Sequence, residues 1–290
     1  MATNTPFGQR LGLVLEGGAM RGIYTAGVLD VFLEAGIMPD VVVGVSAGAL
    51  RGCSYVAGQK GRSIRYYRKY RSDKHFMGLY SLLTTGDVVG TKFCYEDIPL
   101  RLDPFNEAAF EKAPVDFYVT VTNVRTGKPE YILCDELKVG SKMDVIRAGA
   151  SMPLCSKMVE WNGNLYLDGG VSDSIPYAKM KDFGCRKSIV VLTQPAGYLK
   201  QPAAMAPFEA MYRKYPAFVE AMRGRDQMYN TEVCAVEQAA KQGDVFLIRP
   251  SKLLHVGRME HDIEVLNAQY ELGRQDARNQ MDAMREWMER

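Results

Sequence analysis

The chain has 290 residues, with 36 Lys and Arg against 34 Asp and Glu, and is 47% hydrophobic and 24% charged. That balance excludes a disordered or low-complexity chain, and a formal net charge of +2 gives no general basis for nucleic-acid affinity, so no nucleic-acid partner is expected. The length allows one large domain or two small ones, each with a full core.

The opening MATNTPFGQR has no charged leader followed by an apolar run, so a secretory signal is not expected. No uncharged apolar stretch approaches the roughly 20 residues of a membrane helix. The six cysteines (53, 94, 134, 155, 185 and 234) form no Cys-x-x-Cys pair and no zinc-type cluster with histidine. They read as reduced thiols, and the expected location is the cytoplasm.

Leu11, Leu13, Val14 and Leu15 form a short apolar run that predicts a buried strand. It stops at Gly17-Gly18-Ala19-Met20-Arg21-Gly22. A helical pattern follows through Val28, Leu29, Phe32 and Leu33, and Gly36 closes it as a C-cap. Val41-Val42-Val43 predicts a second strand, which runs into Gly44-Val45-Ser46-Ala47-Gly48. Strand, helix and strand of these lengths make a βαβ unit in a parallel sheet. Residues 60–80 read as a polar helix, and residues 116–124 and 129–133 as a hairpin around Arg125-Thr126-Gly127-Lys128. Strands are predicted at 164–167, 188–192 and 245–248, with a linker at 195–207. Met211, Tyr215, Phe218 and Met222 predict a helix from Phe208 onward. Ile263, Leu266, Tyr270, Ala277, Met281, Met284 and Met288 predict one long terminal helix. No internal repeat is visible. The organisation expected is an α/β core over 10–196, with a mostly helical part, 197–290, packed on the same domain.

Gly44-Val45-Ser46-Ala47-Gly48 fits G-x-S-x-G, directly after an apolar strand and before helix-compatible residues. A nucleophilic serine needs such a turn, because small flanking residues let the backbone fold sharply beneath it. The bland alternative is a βα turn with a capping serine. The glycine loop lacks the Gly-Lys-Ser/Thr ending of a P-loop, and Ala19 breaks the G-x-G-x-x-G spacing of a dinucleotide site. Its backbone N–H groups suit an oxyanion hole instead. Both loops leave the same edge of a parallel sheet, which makes them neighbours.

The base for such a serine is open between a carboxylate and a histidine. Asp168 follows a predicted strand and precedes Gly169 and Gly170, a setting shared by ordinary Asp-Gly turns. His75, His255 and His261 are the only histidines, and the order Ser46, Asp168, then His255 or His261 matches a Ser–Asp–His hydrolase.

Glu16-Gly17-Gly18-Ala19-Met20-Arg21-Gly22, then Gly44-Val45-Ser46-Ala47-Gly48, then Asp168-Gly169-Gly170 resemble, in order, the three signatures of the patatin-like phospholipase family. Ala148–Pro153 and Asp173-Ser174-Ile175-Pro176 resemble it too. The resemblance implies a three-layer α/β/α fold with a mostly parallel central sheet, and a lipid acyl-ester hydrolase acting on phospholipid or lysophospholipid. It makes Ser46 the nucleophile and Asp168 its base. Gly17, Gly18 and Ala19 would form the oxyanion hole, with Arg21, Gly22, Gly44, Gly48, Gly169 and Gly170 in support. It implies neither cofactor nor metal. Glu16 and Ala19 depart from the family, whose loop often begins with Asp and carries three glycines. A non-catalytic lipid-binding or regulatory module of the same fold is the alternative from another class, and nucleotide binding through the glycine loop is a third.

Lys60, Arg62, Arg65, Arg68, Lys69, Arg71 and Lys74 lie within fifteen residues, interleaved with Tyr66, Tyr67 and Tyr70. This segment suits peripheral contact with an anionic membrane, and equally a solvated helix face. Met205, Met211, Met222 and Met228 suit core packing more simply than an acyl-chain surface.

Overall fold

A computed structural model describes residues 6–290, so the leader reading rests in part on residues 1–5, outside the described residues. Eight strands make one sheet: β1 (Arg10–Leu15), β2 (Val41–Val45), β3 (Asp116–Asn123), β4 (Pro129–Leu133), β5 (Val159–Trp161), β6 (Asn164–Asp168), β7 (Cys185–Val191) and β8 (Val245–Ile248). The order is β5-β6-β3-β2-β1-β7-β8, with β4 also paired to β3. Pairings from β3 to β8 are parallel, whereas β4, β5 and β6 join antiparallel.

The continuous apolar runs of β1 and β2 follow from burial on both faces. Leu13, Leu15 and Val42 enter one core cluster with Val28 and Phe32 of α1 (Ile23–Glu34). Val14, Val41 and Val43 enter a second with Tyr229 and Val236 of α9 (Arg225–Gln242). Each fully buried aliphatic contributes about 1.5–3 kcal/mol. Helices therefore cover both faces of a mostly parallel sheet, the three-layer α/β/α arrangement expected.

Residues 197–290 carry β8, which extends the sheet beside β7. They also carry α10 (Ile263–Asn279), which crosses α1 at close range. A Cβ on Gly27 would stand 2.1 Å from the Tyr270 carbonyl oxygen, and one on Gly273 2.1 Å from that of Tyr24. Only glycine permits that crossing.

Several elements are shorter than their sequence patterns. The polar helix is α3 (Arg62–Tyr70), and α4 (Leu79–Thr85) is separate. The Asp73 carboxylate accepts from the backbone N–H of His75 at 2.8 Å and turns the chain between them. The helix expected from Phe208 is three: α7 (Ala206–Met211), α8 (Pro216–Arg223) and α9. Pro216 cannot continue a helix from the preceding turn. Met211 is consequently 60% exposed rather than on the buried face, and Tyr212 is buried in its place. The terminal helix breaks after α10, and α11 (Met281–Glu289) follows. β5 was not predicted, although Asn162-Gly163, both at positive φ, is a recognisable hairpin turn.

Candidate active site

Register brings the two main site residues together. Thr120 of β3 pairs with Tyr131 of β4 on one edge and Val45 of β2 on the other. Val121 pairs with Glu130 of β4 and with Asp168 of β6. A strand has only two edges, so β2 and β6 share one of them end to end. Their C-termini meet over Thr120 and Val121, which sets Asp168 against Ser46 despite a separation of 122 positions in the chain.

Ser46 stands between β2 and α2 (Ala47–Val56) at φ 53° and ψ −122°, a conformation that costs a non-glycine residue about 1–3 kcal/mol. The turn is packed too tightly for side chains on either flank. A Cβ on Gly44 would lie 2.4 Å from the Ala49 Cα, and one on Gly48 2.2 Å from the Leu15 carbonyl oxygen. The Ser46 hydroxyl donates to Asp168 Oδ2 at 2.5 Å. Asp168 Oδ1 accepts from the Gly170 N–H at 2.8 Å, which fixes the carboxylate plane. Thr122 Oγ1 donates to the Asp168 carbonyl at 2.9 Å. Burial raises the Asp168 carboxyl above the ordinary carboxylate range, against the lowering effect of the serine hydrogen bond, the Arg225 charge and the Gly170 N–H.

The glycine loop lies beside the serine. A Cβ on Gly17 would come 2.8 Å from the Ser46 Cβ. Thr193, just past β7, donates its hydroxyl to the Gly17 carbonyl at 2.9 Å, and its N–H donates to Glu16 Oε2 at 2.5 Å. Glu16 is buried and also accepts from the Tyr229 hydroxyl at 3.0 Å; burial raises its carboxyl. These bonds hold the Gly17 carbonyl and the Glu16 carboxylate on Thr193 and Tyr229. Among the described residues, the N–H groups of Gly17, Gly18 and Ala19 donate to no protein acceptor. Ala19 sits at φ 50°, where a Cβ costs about 1–2 kcal/mol. Gly22 packs under Ala47, and Gly169 against the Thr120 carbonyl.

Ser46, Ala19 and Met152 border two cavities of different character. The first, about 100 Å³, is apolar and lined by Leu50, Tyr66, Tyr67, Phe76, Ile98 and Met143, among others. Its wall includes a π-helical segment, Phe93–Leu102. The second, about 250 Å³, is lined by Glu16, Arg21, Asp168, Lys200, Arg225, Tyr229 and Arg258.

The three histidines border neither cavity. All are exposed, and His75 is held by Asp73. The basic segment is largely used inside the protein. Arg62 and Arg65 pair with Asp103, Arg68 donates to Asn267, and Arg71 donates to the Met259 and Glu260 carbonyls. Tyr66 and Tyr67 also hold the buried Arg51 by their hydroxyls. Of the methionines, Met222 is buried at the second cavity. Sequence reasoning missed Thr193, Lys200, Arg225, Tyr229 and Arg258. Thr193 alone had a signal, its position just past a strand beside β1.

The comparisons with known proteins give the family of the chain. A family model described as patatin-like phospholipase matches residues 13–180, and the chain belongs to that family, which places it among hydrolases acting on lipids. A second model, a domain of unknown function (DUF6363), matches residues 215–289. The uncharacterized protein YjjU of Escherichia coli is 28% identical over 91% of this chain and 75% of its own length. Lysophospholipase nte1 of Aspergillus terreus is 30% identical over 61% of this chain, and NTE1 of Saccharomyces cerevisiae 30% over 63%; the match spans only 11% of either. VipD from Legionella pneumophila is a structural match with a TM-score of 0.47 and 12% identity, covering 96% of this chain and 67% of that one. No helix among the described residues is long and apolar enough to cross a membrane.

Proposed function

We propose that the protein hydrolyses acyl esters of lipids, with Ser46 as nucleophile and Asp168 as its base. The observation that carries this reading is the 2.5 Å hydrogen bond from the Ser46 hydroxyl to a buried carboxylate, at the meeting point of an apolar cavity and one that carries charged side chains in its wall. Asp168 accepts the hydroxyl proton as Ser46 Oγ attacks the ester carbonyl. The oxyanion forms beside the free N–H groups of Gly17, Gly18 and Ala19. The proton then passes to the leaving alcohol, and water, activated by the same carboxylate, releases the acid from the acyl-enzyme. The acyl chain occupies the apolar cavity. A direct carboxylate base requires no histidine, and none is near. The nearby Arg225 charge favours the ionised carboxylate that this role needs.

Fluorophosphonate labelling and hydrolysis of a p-nitrophenyl ester test the reading. Ser46→Ala is expected to lose labelling and at least about a thousandfold in kcat/KM, and Asp168→Asn to lose a similar factor in turnover. A folded, unaltered protein that neither labels nor turns over would instead support a lipid-binding module.

A further inference from the structure

The second cavity holds more positive charge than its own carboxylates use. Arg21 enters from the glycine loop, Lys200 from the loop after β7, Arg225 from the start of α9 and Arg258 from the loop before α10. None of the four forms an ion pair among the described residues, whereas nearby Arg223 and Arg249 are matched to Glu209, Glu220 and Glu237. The two carboxylates present, Glu16 and Asp168, are held by hydrogen bonds with Thr193, Tyr229, Gly170 and Ser46, and their charges, felt by Lys200 and Arg225, offset at most two of the four cations.

Arg21, Lys200 and Arg225 are partly buried, whereas Arg258 is exposed on a loop whose backbone is held. Arg225 donates its Nε to the Gly170 carbonyl at 2.5 Å, and among the described residues neither of its terminal amino groups bonds to the protein. Lys200 Nζ lies 4.2 Å from the Tyr229 ring centroid, and its backbone is tied to Asn230 at 2.9 Å. Arg258 sits on a loop that Arg71 clamps by two carbonyls, Met259 and Glu260, at 2.9 and 2.6 Å. The Glu260 carboxylate bonds the N–H groups of Gly257, His261 and Asp262 in the same loop. Arg21 Nε is buried, with no hydrogen-bond partner among the described residues. Burial and the neighbouring arginines push the Lys200 ammonium down to about 8. Gathering unpaired cations in a partly enclosed space is unfavourable unless a negative group joins them.

We propose that this cavity is a subsite for a phosphate carried by the leaving half of the ester, and that Lys200, Arg225 and Arg258 select substrates whose headgroup ends in phosphate. The inference rests on Ser46 being the nucleophile, because that assigns the cavity beyond it to the leaving alcohol. It also gives the region matched by the domain of unknown function a role, since Arg225 and Arg258 both lie within it. Guanidinium groups bind phosphate through paired, charge-assisted hydrogen bonds, and one such contact changes affinity by about tenfold or more.

The test compares kcat/KM for 1-acyl lysophosphatidate with that for the uncharged 1-acyl glycerol of the same chain length. Lys200→Ala and Arg258→Ala are each expected to lower the ratio about tenfold, mainly through KM on the anionic ester. Arg258→Glu is expected to lower it further, while the exposed Lys69→Ala leaves it unchanged. Affinity of Ser46→Ala for lysophosphatidate, read by calorimetry, separates binding from turnover and should fall with the same substitutions. If the uncharged ester is hydrolysed but the ratio and the calorimetric affinity ignore Lys200 and Arg258, the subsite is overturned and the nucleophile stands. If Ser46→Ala hydrolyses both esters normally, the catalytic reading falls, and the subsite falls with it. Competitive inhibition by inorganic phosphate, relieved in Arg258→Ala, would show that the free ion suffices; discrimination without such inhibition would show that the acyl chain must deliver the phosphate.

Discussion

Two groups of cations in this protein are used in opposite ways. Lys60 to Lys74 is the densest run of positive charge in the sequence, yet most of it is spent internally. Asp103 takes Arg62 and Arg65, Asn267 takes Arg68, and two carbonyls take Arg71. What this segment gives the site is aromatic: Tyr66 and Tyr67 wall the apolar cavity. Arg21, Lys200, Arg225 and Arg258 are scattered over more than 200 positions, and they line one cavity with Ser46, with no ion pair among the described residues. A charge run in a sequence therefore says little about where a protein offers charge, because burial and nearby acids decide what remains available.

The largest effect expected on stability tests the first half of that contrast. Asp103 is buried and holds two arginines, one of them buried, so Asp103→Ala leaves an uncompensated charge. It is expected to cost about 3–5 kcal/mol in urea unfolding. The ratio of anionic to uncharged ester hydrolysis should survive in the folded fraction. A change in that ratio would mean the basic segment reaches the headgroup after all.

Asp168 sharpens the second half. Its carboxyl is raised by burial, and only the ionised form can accept the serine proton. Activity should therefore fall as pH drops through this raised value, above the range of an ordinary aspartate. The sign for stability is opposite. A raised folded-state value means that the protonated form is favoured on folding; that contribution is complete below the unfolded value of about 3.8 and is lost as pH rises through the folded one. Asp168→Asn should accordingly melt higher than the unaltered protein at neutral pH, with the gap closing in acid. Equal melting temperatures at pH 7 would show that Arg225 and the hydrogen bonds fully offset burial.

The smallest effect concerns the loop between the two cavities. Ala19 holds φ 50°, so Ala19→Gly relieves strain and is expected to stabilise the fold by about 1 kcal/mol, read by urea unfolding, with esterase activity kept. A marked loss of activity would show that the Ala19 side chain itself shapes the site where both cavities meet.

The sequence by itself determined the βαβ start, the serine turn, the glycine loop and the Asp-Gly-Gly turn, because each is local chemistry. An apolar run buried on both faces, a turn that tolerates only glycine on its flanks and a carboxylate at a strand end are all written within a few residues. It left the base open between Asp168 and a histidine, and register settled which of them stands at the serine. β2 and β6 meet on one edge of β3, which brings Asp168 to the Ser46 hydroxyl, while all three histidines stay exposed and away. The same limit applies to the helices. Spacing alone joined Met211 to Phe218 and Tyr270 to Met288, but Pro216 and the turn at Gln280 divided them. The cationic cavity had no local signature at all. Its members come from four separate segments, and an arginine in a loop reads the same whether an acid, a carbonyl or open space awaits it. Only packing decided which cations found partners within the protein and which were left in the cavity that Ser46 and Asp168 line.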